Sequence, residues 1–350
     1  MPVGQGALVG FNSYLAVGRE TTYGTYVTGT AGLNFVSASM KTTMETKIIE
    51  QVSTSRTHSE KIQTGKVVEG DIELMYSPRN LACNYLLVNA FGGGVPSVAT
   101  ATGETAGGGA FTHTVTLNNF DATYASLSIN MRKGDSASAK IFEYSGLRVN
   151  EMTLNAELDE PLMMSFSLIG KDSSLSTNDV SSSLNTLSQN PLSFADGRVS
   201  VETSFASLTS TSFWHVESVE FSINNNLKAD ADARRIGSNT LQVLPPGIAN
   251  LELKMTIRFD TSTAFDAMIN GTKLSAELEF RGPTMTGSAI REGIKLQFPT
   301  LYVSDAGDPE IGGPDEVLKS EVTFAVLRDN TSATGYAVRA LVTNLTSSYA

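Results

Sequence analysis

Cysteine, tryptophan and histidine are nearly missing from this 350-residue chain, which has one Cys, one Trp and three His. A single thiol, Cys83, excludes a disulfide within the chain and leaves no cysteine set for a zinc site. Charge is sparse too, at 17% of residues, and it is unbalanced: 25 Lys and Arg face 36 Asp and Glu, for a net charge of −11. No basic run relieves that excess, so tight binding to nucleic acid by counterion release is not expected. No apolar run approaches the roughly 18 residues that cross a bilayer. The opening "MPVGQGALVGFNSY" lacks the basic-then-apolar order of a secretory signal. The expectation is a soluble protein made in a cytoplasm, where the glycosylation patterns at Asn270 and Asn344 carry no meaning.

What is present is Ser, Thr, Gly and Asn around a hydrophobic fraction of 41%, a composition that suits strands joined by turns. "AVGRETTYGTY" at Ala16 to Tyr26 is echoed by "ADGRVSVETSF" at Ala195 to Phe205, and "FVSASMKTT" from Phe35 by "HVESVEFSI" from His215, each about 180 residues later. Both halves continue into a long polar stretch, read as loops at Thr43 to Gly65 and Asn224 to Gly247. Both then alternate with a period of two. Val68, Ile72, Leu74 and Tyr76 stand against Glu69, Asp71 and Glu73; Leu251, Leu253, Met255, Ile257 and Phe259 stand against Glu252, Lys254, Thr256 and Arg258.

A short helix follows in each half. The first has Ser77 as N-cap, Pro78 at the first position and Gly92 as stop. The second has Asp260 or Thr261 as cap, Ala264, Phe265, Met268 and Ile269 inward, and Gly271 as stop. Aligning Arg132 with Arg281 then leaves the first half about 33 residues longer, the Gly/Thr-rich insertion at 93–122. The Ser/Asn-rich stretch from Asp172 to Asn190 reads as a linker. The fold expected is mainly β: an N-terminal arm at 1–13, then tandem β-sandwiches at 14–190 and 191–350, each with one short flanking helix and a long inter-strand loop.

Residues able to carry chemistry are few. His58, His113 and His215 have no second ligand at a metal-binding spacing, and no nucleophile elbow precedes a helix. Cys83 reads as a small core residue. The glycine clusters "FGGGVP" and "TAGGGAF" lack the Lys-Ser/Thr ending of a phosphate loop. Asp305, Asp308, Glu310, Asp315 and Glu316 offer oxygen ligands for Ca²⁺ but not at EF-hand spacing, and a solvated loop held open by Pro and Gly accounts for them. Glu69, Asp71 and Glu73 make either an ordinary solvent face or the lining of a passage for something negatively charged. A glycosidase pair would need a cleft with stacking aromatics. No catalytic, metal or cofactor site is assigned.

Through "GRETTYGTYV", "KVVEGDIELMYSPRNLA", "INMRKG", "SAIREGI" and "VSDAGDPEIGGPDEVLKSEVTFAVLRDNTSATGYAVRALVTNL", the chain resembles the major tail tube proteins of long-tailed bacteriophages from Tyr14 to Leu345. The resemblance implies a structural virion protein without enzyme activity or cofactor. Its inner sheets would join edge to edge into a ring, and rings would stack into a hollow conduit for ejecting viral DNA into the host. Tube proteins with one sandwich per chain form sixfold rings, so a doubled chain implies a trimer with pseudo-sixfold symmetry. Glu69, Asp71, Glu73 and Glu252 become candidates for an acidic lumen. Glu45, Arg56, His58 and Lys61 of the first loop, with Asp230, Arg234 and Arg235 of the second, become candidates for inter-ring contacts. The partners implied are further copies of the chain, the tape measure, tail terminator and distal tail proteins, and double-stranded DNA that passes without specific binding; no membrane is involved. The competing reading is a non-catalytic β-sandwich that binds carbohydrate or a receptor, for which one Trp offers few sugar platforms.

Overall fold

The computed structural model describes residues 10–349 other than 52–55, 59, 105–108, 135–139, 186–189, 209–213, 260–261, 308, 310–314, 316 and 332–334. The first half contains β1 (Tyr14–Glu20), β2 (Ala31–Leu33), β3 (Ser37–Ala38), β4 (Lys41–Ile48), β5 (Lys61–Met75), α1 (Leu81–Ala90), β6 (Ser97–Thr100), β7 (Phe111–Thr116), β8 (Ser126–Lys133), β9 (Lys140–Glu157), β10 (Met163–Gly170) and β11 (Asp172–Ser176). The second contains β12 (Gly197–Glu202), β13 (Val216–Asn224), β14 (Asn250–Arg258), α2 (Thr263–Asn270), β15 (Leu274–Thr284), β16 (Arg291–Ala306), β17 (Lys319–Val326) and β18 (Arg339–Asn344).

All the pairings between these strands are antiparallel. β9 is long enough to serve two layers. Its first part pairs with β8 and β11, and β8 pairs with β1; its second part pairs with β10, which pairs with β5, which pairs with β3 and β4. β16 does the same, first with β15 and β18, where β15 pairs with β12, and then with β17, β14 and β13 in turn. Where the long strand changes layer, a register shift skips Asn150 in β9 and Ser304 in β16. Such a bulge bends the strand and lets it turn from one sheet to the other. The halves meet where β13 pairs with β9, so β4–β5–β10–β9–β13–β14–β17–β16 run as one sheet.

Alternation explains these strands. Val68, Ile72, Leu74, Met152, Leu154, Phe166, Phe221, Leu253, Met255 and Phe324 all point to one side and are buried in a single core cluster that draws on both halves. Each such side chain contributes on the order of 2 kcal/mol when fully withdrawn from water.

Several expectations are corrected in detail. Asn80, not Ser77, caps α1, its Oδ1 accepting from the Cys83 N–H at 3.0 Å; Pro78 lies in the preceding turn. In α2 Ala264 and Ala267 are buried, while Phe265 and Ile269 are 39% and 67% exposed, because this short helix lies on the sheet by its small-residue face. Gly271 ends α2 in the left-handed conformation, φ 59°, as the stop signal required. Asp260 and Thr261 lie outside the described residues. The stretch from Thr43 to Gly65 is not an open loop: β4 and β5 pair from Lys41–Glu69 out to Ile48–Lys61. Both faces of its outer end are exposed, so no hydrophobic alternation marks it in the sequence. The insertion carries β6 and β7, and β7 extends the second half's sheet by pairing with β18. The supposed linker begins as β11 on the edge of β9.

Candidate functional site: the acidic sheet face and the hairpin

The core side of the eight-strand sheet is apolar, so its other side carries whatever the alternation leaves. Glu69, Asp71 and Glu73 of β5 and Glu252 of β14 all stand there, partly or fully exposed, as their spacing predicts. Glu151, Glu157, Glu220, Asp305 and Glu321 join them, interleaved with Ser, Thr and Asn. Lys41, Lys254, Arg258 and Lys319 stand among them, and Arg148, opposite Ile169 in the row of Glu69, lies at the covered end of the same side. Lys41 meets Glu69 across the strands at 3.0 Å, and Lys254 meets Glu252 at 2.9 Å, exposed pairs worth well under about 1 kcal/mol each. Cross-strand partners place Glu73, Ser165, Thr153, Ser222 and Glu252 in one row, so acids from the two halves line up across the junction. Grooves of the surface lie elsewhere: one of about 410 Å³ beside Glu279, Arg281 and Arg291, and one of about 510 Å³ where Trp214 meets Arg198 and Phe194. Glu69, Asp71 and Glu73 stand on the sheet face and line neither of these two grooves.

The two long polar stretches come together. Arg234 donates through both terminal nitrogens to Glu45, at 2.7 and 3.0 Å, which holds the Glu45 carboxyl below and the guanidinium above their ordinary ranges. Gly65 sits directly under this pair, where a Cβ would overlap the Arg234 guanidinium. Asp230 caps a short turn by accepting from the Asp232 N–H, and Arg235 is exposed beyond it. Leu227, Ala233, Leu241 and Leu244 pack this second segment onto Phe120 and Tyr23 of the first half. It is therefore a strap laid over the molecule and not a protruding loop. Lys61 lies at the outer end of the hairpin, with Arg56 and His58 exposed just beyond it.

Sequence reasoning passed over Arg19 and Glu20, which are buried, and Arg148, which is half-buried. Arg148 lies between the rings of Tyr23 and Phe120, at 5.1 and 5.0 Å, and donates to the carbonyls of Leu244 at 2.6 Å and Phe120 at 3.1 Å. Burial lowers its pKa. Arg19 reaches the carbonyls of Tyr349 and Gly94 between Tyr85 and Tyr124, and burial lowers it to about 10. Glu20 accepts from the Ser126 and Ser128 hydroxyls, both at 2.7 Å, and from the Gly24 and Gly146 N–H groups, both at 2.8 Å. The signal available for Arg19 and Glu20 was their place among apolar residues in a strand. Arg19 faces Leu127, whereas Arg198 faces Glu279, so the two Gly-Arg pairs do not occupy matching positions.

The remaining candidates serve the framework. His113 is buried, stacks on Tyr349 at 3.8 Å and bonds the Thr346 carbonyl through Nε2 at 2.7 Å. Cys83 is buried in α1, its thiol pushed up to about 12. In the acidic loop Asp308, Glu310 and Glu316 lie outside the described residues. Among the described residues no three acidic, His or Cys groups cluster as a metal site would need, and no helix is long and apolar enough to cross a membrane.

The structure is thus a mainly β molecule with an acidic sheet face and a projecting hairpin. The family model for phage tail tube protein matches residues 10–326, and the chain belongs to that family. It is a structural protein of the phage tail, located in the virion. No curated protein matches it.

Proposed function

We propose that this chain is the major tail tube subunit, self-assembling into rings that stack as the conduit for DNA ejection. One observation carries the reading: β13–β14–β17–β16 repeats the pairing of β4–β5–β10–β9, and the two sets are joined edge to edge by β9 and β13. Edge pairing within the chain is the mode by which further copies would add, and closure removes the exposed edges. Residues 14–190 and 191–350 then act as two tube units, and three chains complete a ring. Glu69, Asp71, Glu73 and Glu252 line the lumen, where an acidic wall does not grip DNA and screening over about 10 Å at 0.1 M salt keeps the repulsion short-ranged. The hairpin with Arg56, His58 and Lys61, and the exposed strap residues Asp230 and Arg235, contact the next ring; Glu45 and Arg234 stiffen that junction. The chain is made in the host cytoplasm, and the tape measure, tail terminator and distal tail proteins bound the tube. Negative-stain microscopy of the purified protein tests the reading: rings or tubes are expected, and monodisperse globules under all conditions would contradict it.

A further inference from the structure

Among the described residues no strand pairs with the outer edge of β4 at one end of the continuous sheet, or with that of the last residues of β16 at the other. We propose, resting on the ring reading above, that these edges pair antiparallel between two copies of the chain in one register: Asp305 opposite Thr43, Ala306 opposite Thr42 and Gly307 opposite Lys41.

The register follows from the junction already made inside the chain. There Glu151 lies opposite Asn224 and Met152 opposite Ile223. The shared bulge matches Met152 with Ala306. The equivalent bonds from Tyr76 N–H to the Leu162 carbonyl and from Phe259 N–H to the Leu318 carbonyl match β5 with β14, and their partners match Thr42 with Ile223. Transferring the first junction onto the free edges gives the second. The hydrogen-bonding groups face the right way. Gly307 N–H bonds to the Glu321 carbonyl inside the sheet, so those of Ala306 point outward; Ser39 N–H bonds to Asp71, so those of Thr42 point outward too.

Side chains agree with the backbone. Lys41 would lie diagonally beside Asp305, opposite charges on the polar face. In the internal junction Asn225 donates to the carbonyl of Ala90 at the end of α1, and Cys83 and Leu87 of α1 are buried. The matching positions are Met44, 37% exposed, and Phe265 and Ile269 of α2, the exposed apolar pair noted above. The second copy's Met44 covers them.

Stagger supplies an independent check. Glu73 shares a row with Glu252, yet its match in the second half is Thr256, four residues on. Four strands thus advance by four residues, a rise of about 3.3 Å for each spacing of about 4.8 Å, which tilts the strands by about 35°. Closed barrels have about that tilt. Three copies give twenty-four strands with equal shear, a barrel about 45 Å across at the backbone.

The test is a double variant, Asp305→Cys with Thr43→Cys, against Asp305→Cys with Ser39→Cys, four residues and about 13 Å out of register. Under mild oxidation of rings, the first is expected to give a covalent ladder ending at three chains and the second to stay single. A mixture of Asp305→Cys and Thr43→Cys chains is expected to give dimers only. Rings visible by microscopy with no cross-link, or with the Ser39 pair cross-linking, would overturn the register while leaving the ring reading intact. A ladder reaching six chains would overturn closure by three. Absence of rings even for the unmodified protein would instead sink the reading beneath it.

Discussion

Arg148 ties three separate pieces together, since its guanidinium binds the strap at Leu244 and the insertion at Phe120 from its own place on β9. Arg148→Met keeps the stem but leaves two buried carbonyls without their charged donor, so a loss of about 3 kcal/mol is expected, read by urea unfolding. His113 gives a pH dependence. Burial lowers its imidazole from the usual 6.5, so the folded protein keeps it neutral at a pH where the unfolded chain takes up a proton. Stability is expected to hold above pH 7, to fall as pH drops through 6.5, and to level off only below the folded pKa. His113→Phe, which keeps the stack on Tyr349, should flatten that slope in melts between pH 8 and pH 5. Neither role was legible in sequence, because both partners lie far along the chain, Leu244 and Thr346. The Gly-Arg echo misled for a related reason: identity of two residues says nothing of register, and Arg19 is buried where Arg198 lies exposed on β12.

Among the elements, the strands with one buried face were readable by their period, and the hairpin was not, since a strand exposed on both faces has no pattern to show. Arg234 of the strap pairs with Glu45 of this hairpin, partly in solvent. Arg234→Ala is therefore expected to change global stability by less than about 1 kcal/mol while speeding amide exchange in 41–48 several-fold. Unchanged exchange there would show that the ion pair does not hold the arm. α2 was read correctly as a helix with its glycine stop, and Ala264 and Met268 do face the core, but Phe265 and Ile269 do not, because apolar character alone does not say which side of a helix is covered. Ile269→Asp should leave the chain folded by circular dichroism and prevent it from assembling.

For the molecule as a whole, the sequence suggested a doubled order of strand, long polar stretch, strand and helix, and within the structure β9 and β16 each bulge once and serve two layers. What no period could show is that β13 docks on β9, because which strands become neighbours depends on edges and not on alternation. The acidic face gives a whole-molecule expectation: tubes of the unmodified protein should not retain DNA, and Glu69→Lys with Asp71→Lys and Glu73→Lys should create salt-sensitive retention in a gel-shift assay. The most direct measurement of the central claim is a cryo-EM cross-section of assembled tubes. Three chains per ring around one continuous inner barrel, with Glu73 and Glu252 facing the lumen, is the result expected; six chains per ring, or an inner wall built from other strands, would contradict it.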